Sequence, residues 1–427
     1  MGLNDTPRAS RLHIGIYGRR NAGKSSLINA LTGQDIALVS DAPGTTTDPV
    51  YKSMELHPVG PVVFIDTAGF DDEGSLGRLR VERTQEVADK TDVGIVVIDG
   101  RALADAALKQ RPQGAALEDE DVSALLEYER RWIDLLTGKK VPVILVVNKW
   151  ELVEGCGGEE PAAELAGRIA GECPVITVSA AEKRGLEELR NAIEEAVPED
   201  YLRERILGDM IEEGGLALLV MPQDIQAPKG RLILPQVQTL RELLDRKCTS
   251  VATTADGIDR ALAALNRAPD LIITDSQCFK QVYEKKPAES SLTSFSVLFA
   301  AYKGDIESFV NGASQLDEMT ENSRVLIAEA CTHVPLSEDI GREKIPRLLR
   351  KNFGEGIEVV NVCGNDFPNI DGLKDFDLVI HCGACMFNRR HVLSRIAAAE
   401  AAGVPITNYG VVLAKLSGIL DKIKLPQ

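Results

Sequence analysis

Gly18-Arg19-Arg20-Asn21-Ala22-Gly23-Lys24-Ser25 stands between an apolar run at residues 12–17 and a helical pattern at 26–31. The string is GxxxxGK(S/T) in the strand–loop–helix context that a phosphate-binding loop requires. Glycines such as Gly18 and Gly23 let the backbone wrap phosphate oxygens, and N–H groups at the helix start, near Ser26, point at them. Lys24 is placed to neutralise the β- and γ-phosphates, and the Ser25 hydroxyl to bind a magnesium ion. A Gly-rich strand–helix turn without a ligand fits that string equally well. The order of the downstream motifs removes that alternative. Thr45-Thr46 sit in the loop 41–48, where Thr46 can reach magnesium and the γ-phosphate. Asp66-Thr67-Ala68-Gly69 ends a strand-like run at 62–65. There Asp66 supplies an outer carboxylate to magnesium, and the Gly69 N–H reads the γ-phosphate. Asn148-Lys149-Trp150-Glu151 ends a run at 141–147, where a guanine-reading NKxD would lie. Ser179-Ala180 ends the next run, 175–178, where a backbone N–H would meet the guanine carbonyl. Five elements in this order, each after a strand, predict a domain that binds and hydrolyses GTP.

Two positions depart from the common pattern. Glu151 stands where NKxD has Asp, one methylene longer, so the carboxylate that accepts from guanine N1 and N2 is displaced unless the backbone shifts. Reduced affinity or selectivity is the expectation. Phe70 follows Gly69, where many small GTPases carry a water-orienting Gln, and an apolar ring cannot orient water. These features resemble the TrmE/Era-like GTPases. In the branch that Asn21 fits, a P-loop Asn helps hold a potassium ion in place of an arginine finger, and the resemblance implies that role for Asn21.

Outward from this site, apolar strand-like runs alternate with amphipathic helical patterns, which reads as α/β with a mainly parallel sheet. The stretch 101–121 has no clear period, ends in acidic residues, and reads as a surface insertion. A break near 198–200 closes a GTPase domain at residues 1–199. Residues 200–267 form a small α/β unit with strands at 216–221 and 250–253 and helices at 235–247 and 258–265. Val237, Leu240, Leu243 and Leu244 share a helix face, and so small a unit cannot bury its own apolar surface. A homodimer or higher oligomer through this unit is expected. Residues 268–427 form a third α/β domain with strands near 271–274, 325–328, 359–362, 378–380 and 405–407.

Composition narrows the partners. With 48 Lys and Arg against 65 Asp and Glu, the 427-residue chain carries −17, which argues against nucleic acid as the main partner. No start resembles a signal peptide, and no apolar run reaches the roughly 18 residues of a membrane span, so a cytoplasmic protein is expected. Eight Cys in a reducing compartment do not suggest disulfides. Cys156, Cys173, Cys248, Cys278 and Cys363 read as small buried apolar residues.

The remaining three are patterned. Cys331-Thr332-His333 and His381-Cys382-Gly383-Ala384-Cys385 each follow a strand-like run, with 47 residues between His333 and His381. If both strands are parallel, both segments emerge at the carboxyl edge of one sheet, where open α/β folds place ligands. A buried Cys pair and a zinc ion in a Cys3His site are both compatible with these residues. Three thiolates also suit an iron–sulfur cluster in which one iron lacks a Cys ligand. His333, His381, Glu338 or water then completes the set.

Cys-x-His, 47 residues, then His-Cys-x-x-Cys, on one chain with a TrmE-like GTPase, resembles the HydF family, the maturation GTPases of iron-only (FeFe) hydrogenases. Residues 221–230 and 292–299 are also similar to that family. The resemblance implies a GTPase domain, a dimerisation domain and a domain holding a 4Fe-4S cluster on Cys331, Cys382 and Cys385. It also implies a scaffold that accepts a di-iron precursor from the radical-SAM maturases HydE and HydG and passes it to apo-hydrogenase. A second class, an RNA-directed TrmE/Era-like GTPase of tRNA modification or ribosome assembly with a zinc-binding tail, is disfavoured by the acidic charge and the missing basic module.

Overall fold

The computed structural model describes residues 7–33, 50–67, 85–109, 127–202, 205–222, 232–330 and 339–426. The chain forms two compact units, Met1–Arg203 and Glu204–Gln427.

The first unit is built on β1 (Leu12–Tyr17), β2 (Val50–Leu56), β3 (Gly60–Asp66), β4 (Val93–Asp99), β5 (Val143–Asn148) and β6 (Val175–Thr177), in the order β2-β3-β1-β4-β5-β6. All pairings are parallel except β2–β3. Every residue of β1 and β5 is buried, because a parallel sheet is covered by helices on both faces. Two largely aliphatic clusters fill those faces, one around Val63, Val96 and Leu165 and the other around Ile14, Phe64 and Leu189. β2 escapes the sequence reading because it is the edge strand, half exposed, and mixes polar residues into its run. The expected insertion at 101–121 begins instead as a helix, Gly100–Lys109, with Leu103, Ala104, Ala106 and Ala107 buried. Alanine gives a weak apolar signal, yet it lets this helix pack closely on the helix Glu159–Ala170, whose Ala162 and Ala166 belong to the same cluster. Residues 110–126 lie outside the described set.

The second unit holds two parallel four-stranded sheets. One is β10-β9-β7-β8, from β7 (Leu216–Val220), β8 (Thr249–Thr253), β9 (Leu271–Thr274) and β10 (Ser291–Ser294). The other is β12-β11-β13-β14, from β11 (Arg324–Glu329), β12 (Glu358–Cys363), β13 (Leu378–His381) and β14 (Ile406–Asn408). The first sheet continues across residue 267, where the sequence divides the chain, because β9 pairs directly with β7, Leu218 opposite Ile272. β10, a Ser/Thr-rich edge strand, carries no apolar run to reveal it.

The helix Leu234–Asp245 buries a mixed face. Its inner face is Gln236, Thr239 and Leu243. Gln236 is accommodated by donating to Asp275 Oδ2 at 3.2 Å. Val237 and Leu244, seven apart and hence on one face, are 47% and 59% exposed. The apolar stripe is thus split: Leu243 is buried in the core with Leu240 packed beside it, and Val237 and Leu244 face outward. Among the described residues no helix is long and apolar enough to cross a membrane.

Candidate nucleotide and cluster sites

In the first unit, the loops after β1, β3, β5 and β6 leave the carboxyl edge of the parallel sheet together. The loop after β1 turns at Gly18, with φ 144°, and Gly23, with φ 88°. A Cβ on Gly18 would overlap the Val97 carbonyl, and one on Gly23 would overlap the Asn148 amide. Only glycine fits at either place. The helix Lys24–Thr32 starts there. Its Lys24 is buried, with Nζ donating to the carbonyls of Gly18 and Arg19 at 2.8 Å each. Ser25 Oγ donates to Asp66 Oδ2 at 2.7 Å, so the hydroxyl and carboxylate expected around magnesium already face each other. Ser26 lies half-buried in the first turn, and Asn21 is exposed with φ 61°. Thr67 is buried and donates to Ile16 O at 2.7 Å. Thr45, Thr46, Gly69 and Phe70 lie outside the described residues.

Asn148 ties three loops together. Its Nδ2 donates to Ala22 O at 3.1 Å, and its Oδ1 accepts from Ala180 N at 3.1 Å. Lys149, with φ 60°, reaches Asp99 Oδ2 at 2.6 Å. Ser179 pairs with Arg184 across a short bridge, and its Oγ accepts from Glu182 N at 3.0 Å. Glu151 lies in the short turn Trp150–Leu152, and its Oε2 is buried without any hydrogen-bond partner. A buried carboxylate oxygen left unmatched is costly, and on the turn that follows β5 it suits a ligand donor. A cleft of about 400 Å³, lined by residues including Trp150, Glu154, Ser179 and Arg184, adjoins this site at Ser179 and includes neither Lys24 nor Asp66. Sequence reading also missed that Arg19 is anchored. Its Nε donates at 2.8 Å to the nearly fully buried Glu129, and its guanidinium lies over the Tyr128 ring at 5.2 Å.

In the second unit, β11 and β13 are parallel neighbours, Ala328 opposite His381, as the convergence of the two cysteine segments demands. Cys382 Sγ accepts from the N–H of Ala330 at 3.0 Å and of Ala384 at 3.4 Å. Ala384 has φ 53°, a left-handed conformation that non-glycine residues seldom adopt and that turns the chain between Cys382 and Cys385. Cys385 is exposed. Hydrogen bonds to cysteine sulfurs are among the features by which a protein tunes an iron–sulfur cluster. Cys331, His333 and Glu338 lie outside the described residues; among the described ones no three His, Cys, Asp or Glu are grouped for a metal ion.

His381 is fully buried and committed elsewhere. Arg395 Nη1 donates to its Nε2 at 3.0 Å, so Nδ1 carries the proton, shared with Cys382 O at 2.9 Å. Burial, with the Arg395 charge beside it, pushes its pKa down to about 3. A neutral ring with both nitrogens engaged has no lone pair left for iron in this arrangement. The five scattered cysteines also divide. Cys248 is buried, whereas Cys156, Cys173, Cys278 and Cys363 are half-buried. Cys363 is bonded to Glu329 and Arg342 rather than packed as an apolar residue, because it ends an edge strand facing polar groups.

Comparison with known proteins gives three consecutive matches. Residues 13–149 match the family model of a 50S ribosome-binding GTPase, 206–304 that of the hydrogen maturase F dimerization domain, and 307–425 that of the hydrogen maturase F tetramerization domain. Among curated proteins, the tRNA modification GTPase MnmE of Heliobacterium modesticaldum is 32% identical over 262 residues, covering 61% of this chain and 45% of that protein. GTPase Der of Desulforudis audaxviator is 33% identical over 205 residues, 46% of this chain and 41% of that one. The chain thus spans less than half the length of these relatives. A solved structure of Aquifex aeolicus Era bound to GDP.AlF4- matches at 17% identity with a TM-score of 0.35, over 60% of this chain and 98% of that one.

Proposed function

Since the chain belongs to the hydrogen maturase F family, we propose that it is a GTP-hydrolysing scaffold for hydrogenase maturation. In this reading it holds a 4Fe-4S cluster, accepts a di-iron precursor from the radical-SAM enzymes HydE and HydG, and delivers it to apo-hydrogenase. The observation that carries the reading is one chain joining a GTPase domain to the dimerization and tetramerization domains of that family. The outward stripe of Val237 and Leu244 suits self-association through the dimerization domain.

At the nucleotide site, Lys24 exchanges two backbone carbonyls for β- and γ-phosphate oxygens. Ser25, Asp66 and Thr46 would hold magnesium, which would neutralise phosphate charge when bound. Glu151 Oε2 accepts from guanine, and Ala180 N–H turns from Asn148 to the guanine carbonyl. Gly69 binds the γ-phosphate. Asn21 would contribute to a potassium site whose positive charge stands in for an arginine finger. At the second site, Cys331, Cys382 and Cys385 hold the cluster, with Glu338, His333 or water at the remaining iron. An iron without a cysteine ligand would give the site a means of accepting cargo.

Anaerobic iron analysis and EPR on the full chain, beside GTP turnover, test this reading. A brown protein whose Cys382→Ser variant loses its iron supports it. A colourless zinc protein overturns it in favour of the RNA-directed class.

A further inference from the structure

A row of polar side chains crosses the carboxyl edge of the second unit's β11-containing sheet. Glu329 ends β11 opposite Cys363 on β12. Its side chain is only 3% exposed. Arg342 donates to Glu329 Oε2 from Nε at 3.2 Å and from Nη2 at 3.1 Å. The Tyr409 hydroxyl donates to Oε1 at 3.4 Å. The Cys363 thiol donates to Oε2 at 3.3 Å and accepts from Arg342 Nη2 at 3.0 Å. The turn that presents Arg342 is built for this contact. Asp339 Oδ1 accepts from the N–H groups of Gly341 and Arg342 at 2.9 Å each. A Cβ on Gly341 would overlap the Tyr409 hydroxyl and come within 2.8 Å of Glu329 Oε1.

One peptide beyond Glu329, the Ala330 N–H is bonded to Cys382 Sγ. The strand end pinned by an ion pair with a buried carboxylate and a partly exposed guanidinium therefore also carries the hydrogen bond to a candidate cluster ligand. An ion pair with one buried partner is weak ground for stability, since desolvation offsets much of its attraction. Groups behind the ligands, however, tune a metal centre through hydrogen bonds and charge.

Resting on the cluster reading, we propose that Glu329 and Arg342 are positioning residues whose balanced charges set the reduction potential of a cluster bound at Cys382. Reduction adds one negative charge at the cluster. An uncompensated arginine nearby favours the reduced form, and an uncompensated carboxylate disfavours it.

The test is a potentiometric titration, followed by EPR, of the anaerobically reconstituted full chain. Glu329→Gln leaves Arg342 unbalanced and should move the midpoint to more positive potential. Arg342→Gln leaves Glu329 unbalanced and should move it to more negative potential. The double variant should return close to wild type, with iron content unchanged throughout. Equal midpoints in all proteins, or shifts of the same sign, overturn the proposal. So does loss of iron from the folded variants, because the pair would then be holding the ligands and not tuning them. Should Glu329→Gln fail to fold, Arg342, 29% exposed, carries the test alone: Arg342→Gln shifts the midpoint and Arg342→Lys does not, and any other pattern refutes the charge argument. A wild-type chain that takes up no cluster overturns the cluster reading itself, a result distinct from all of these.

Discussion

Replacing Glu151 with alanine tests whether its carboxylate serves the ligand or the fold, because the two roles predict changes of opposite sign. In the nucleotide-free protein, Oε2 is buried without a donor, a situation that costs about 1–3 kcal/mol. Glu151→Ala removes that cost and forfeits one partly buried methylene, worth at most about 0.8 kcal/mol. The free variant should therefore unfold in urea within about 1 kcal/mol of wild type, or be more stable. With guanine bound, the carboxylate accepts from N1 and N2, and hydrogen bonds to a charged group contribute about 1.5–3 kcal/mol apiece. Allowing for non-additivity, a loss of about 3 kcal/mol corresponds to roughly 150-fold weaker GDP binding. Calorimetric titration measures it, with inosine diphosphate as the control that lacks the N2 amine. Wild type should prefer GDP over inosine diphosphate, and the variant should lose that preference. Unchanged GDP affinity, or a free variant destabilised by several kcal/mol, refutes the assignment.

Lys24→Ala should abolish GTP hydrolysis yet leave iron content intact, since the two sites lie in separate units; an iron-free variant would contradict this. The GTPase rate should be higher in potassium than in sodium, and Asn21→Ala should erase the difference; equal wild-type rates in the two salts speak against a potassium site. Cys331→Ser, Cys382→Ser and Cys385→Ser should each lose most of the iron. His381→Ala should keep it with a perturbed EPR signal, because the ring is bonded to Arg395 and Cys382 O; iron loss equal to that of the cysteine variants would make His381 a ligand after all.

The nucleotide site was legible in the chain because its parts are local. Each lies within a few residues after an apolar strand, so strand order alone brings Gly18–Ser25, Asp66, Asn148 and Ser179 to one sheet edge. The cysteine segments were legible for the same reason, each following a strand of one parallel sheet. Edge strands were not. β2 and β10 carry polar residues where one side faces no neighbour, and the alanine-rich helix Gly100–Lys109 gave too weak an apolar pattern.

What sequence alone determined, then, is which residue types stand at strand ends. What tertiary structure decided is which of them meet. Whether His381 faces a metal or Arg395, whether Cys363 packs as an apolar residue or bonds Glu329, and which face of the helix Leu234–Asp245 is buried all depend on residues distant in the chain. Periodicity reports the apolar side of one element. A buried polar group must instead find its partner on another, and no local pattern encodes where that partner will be.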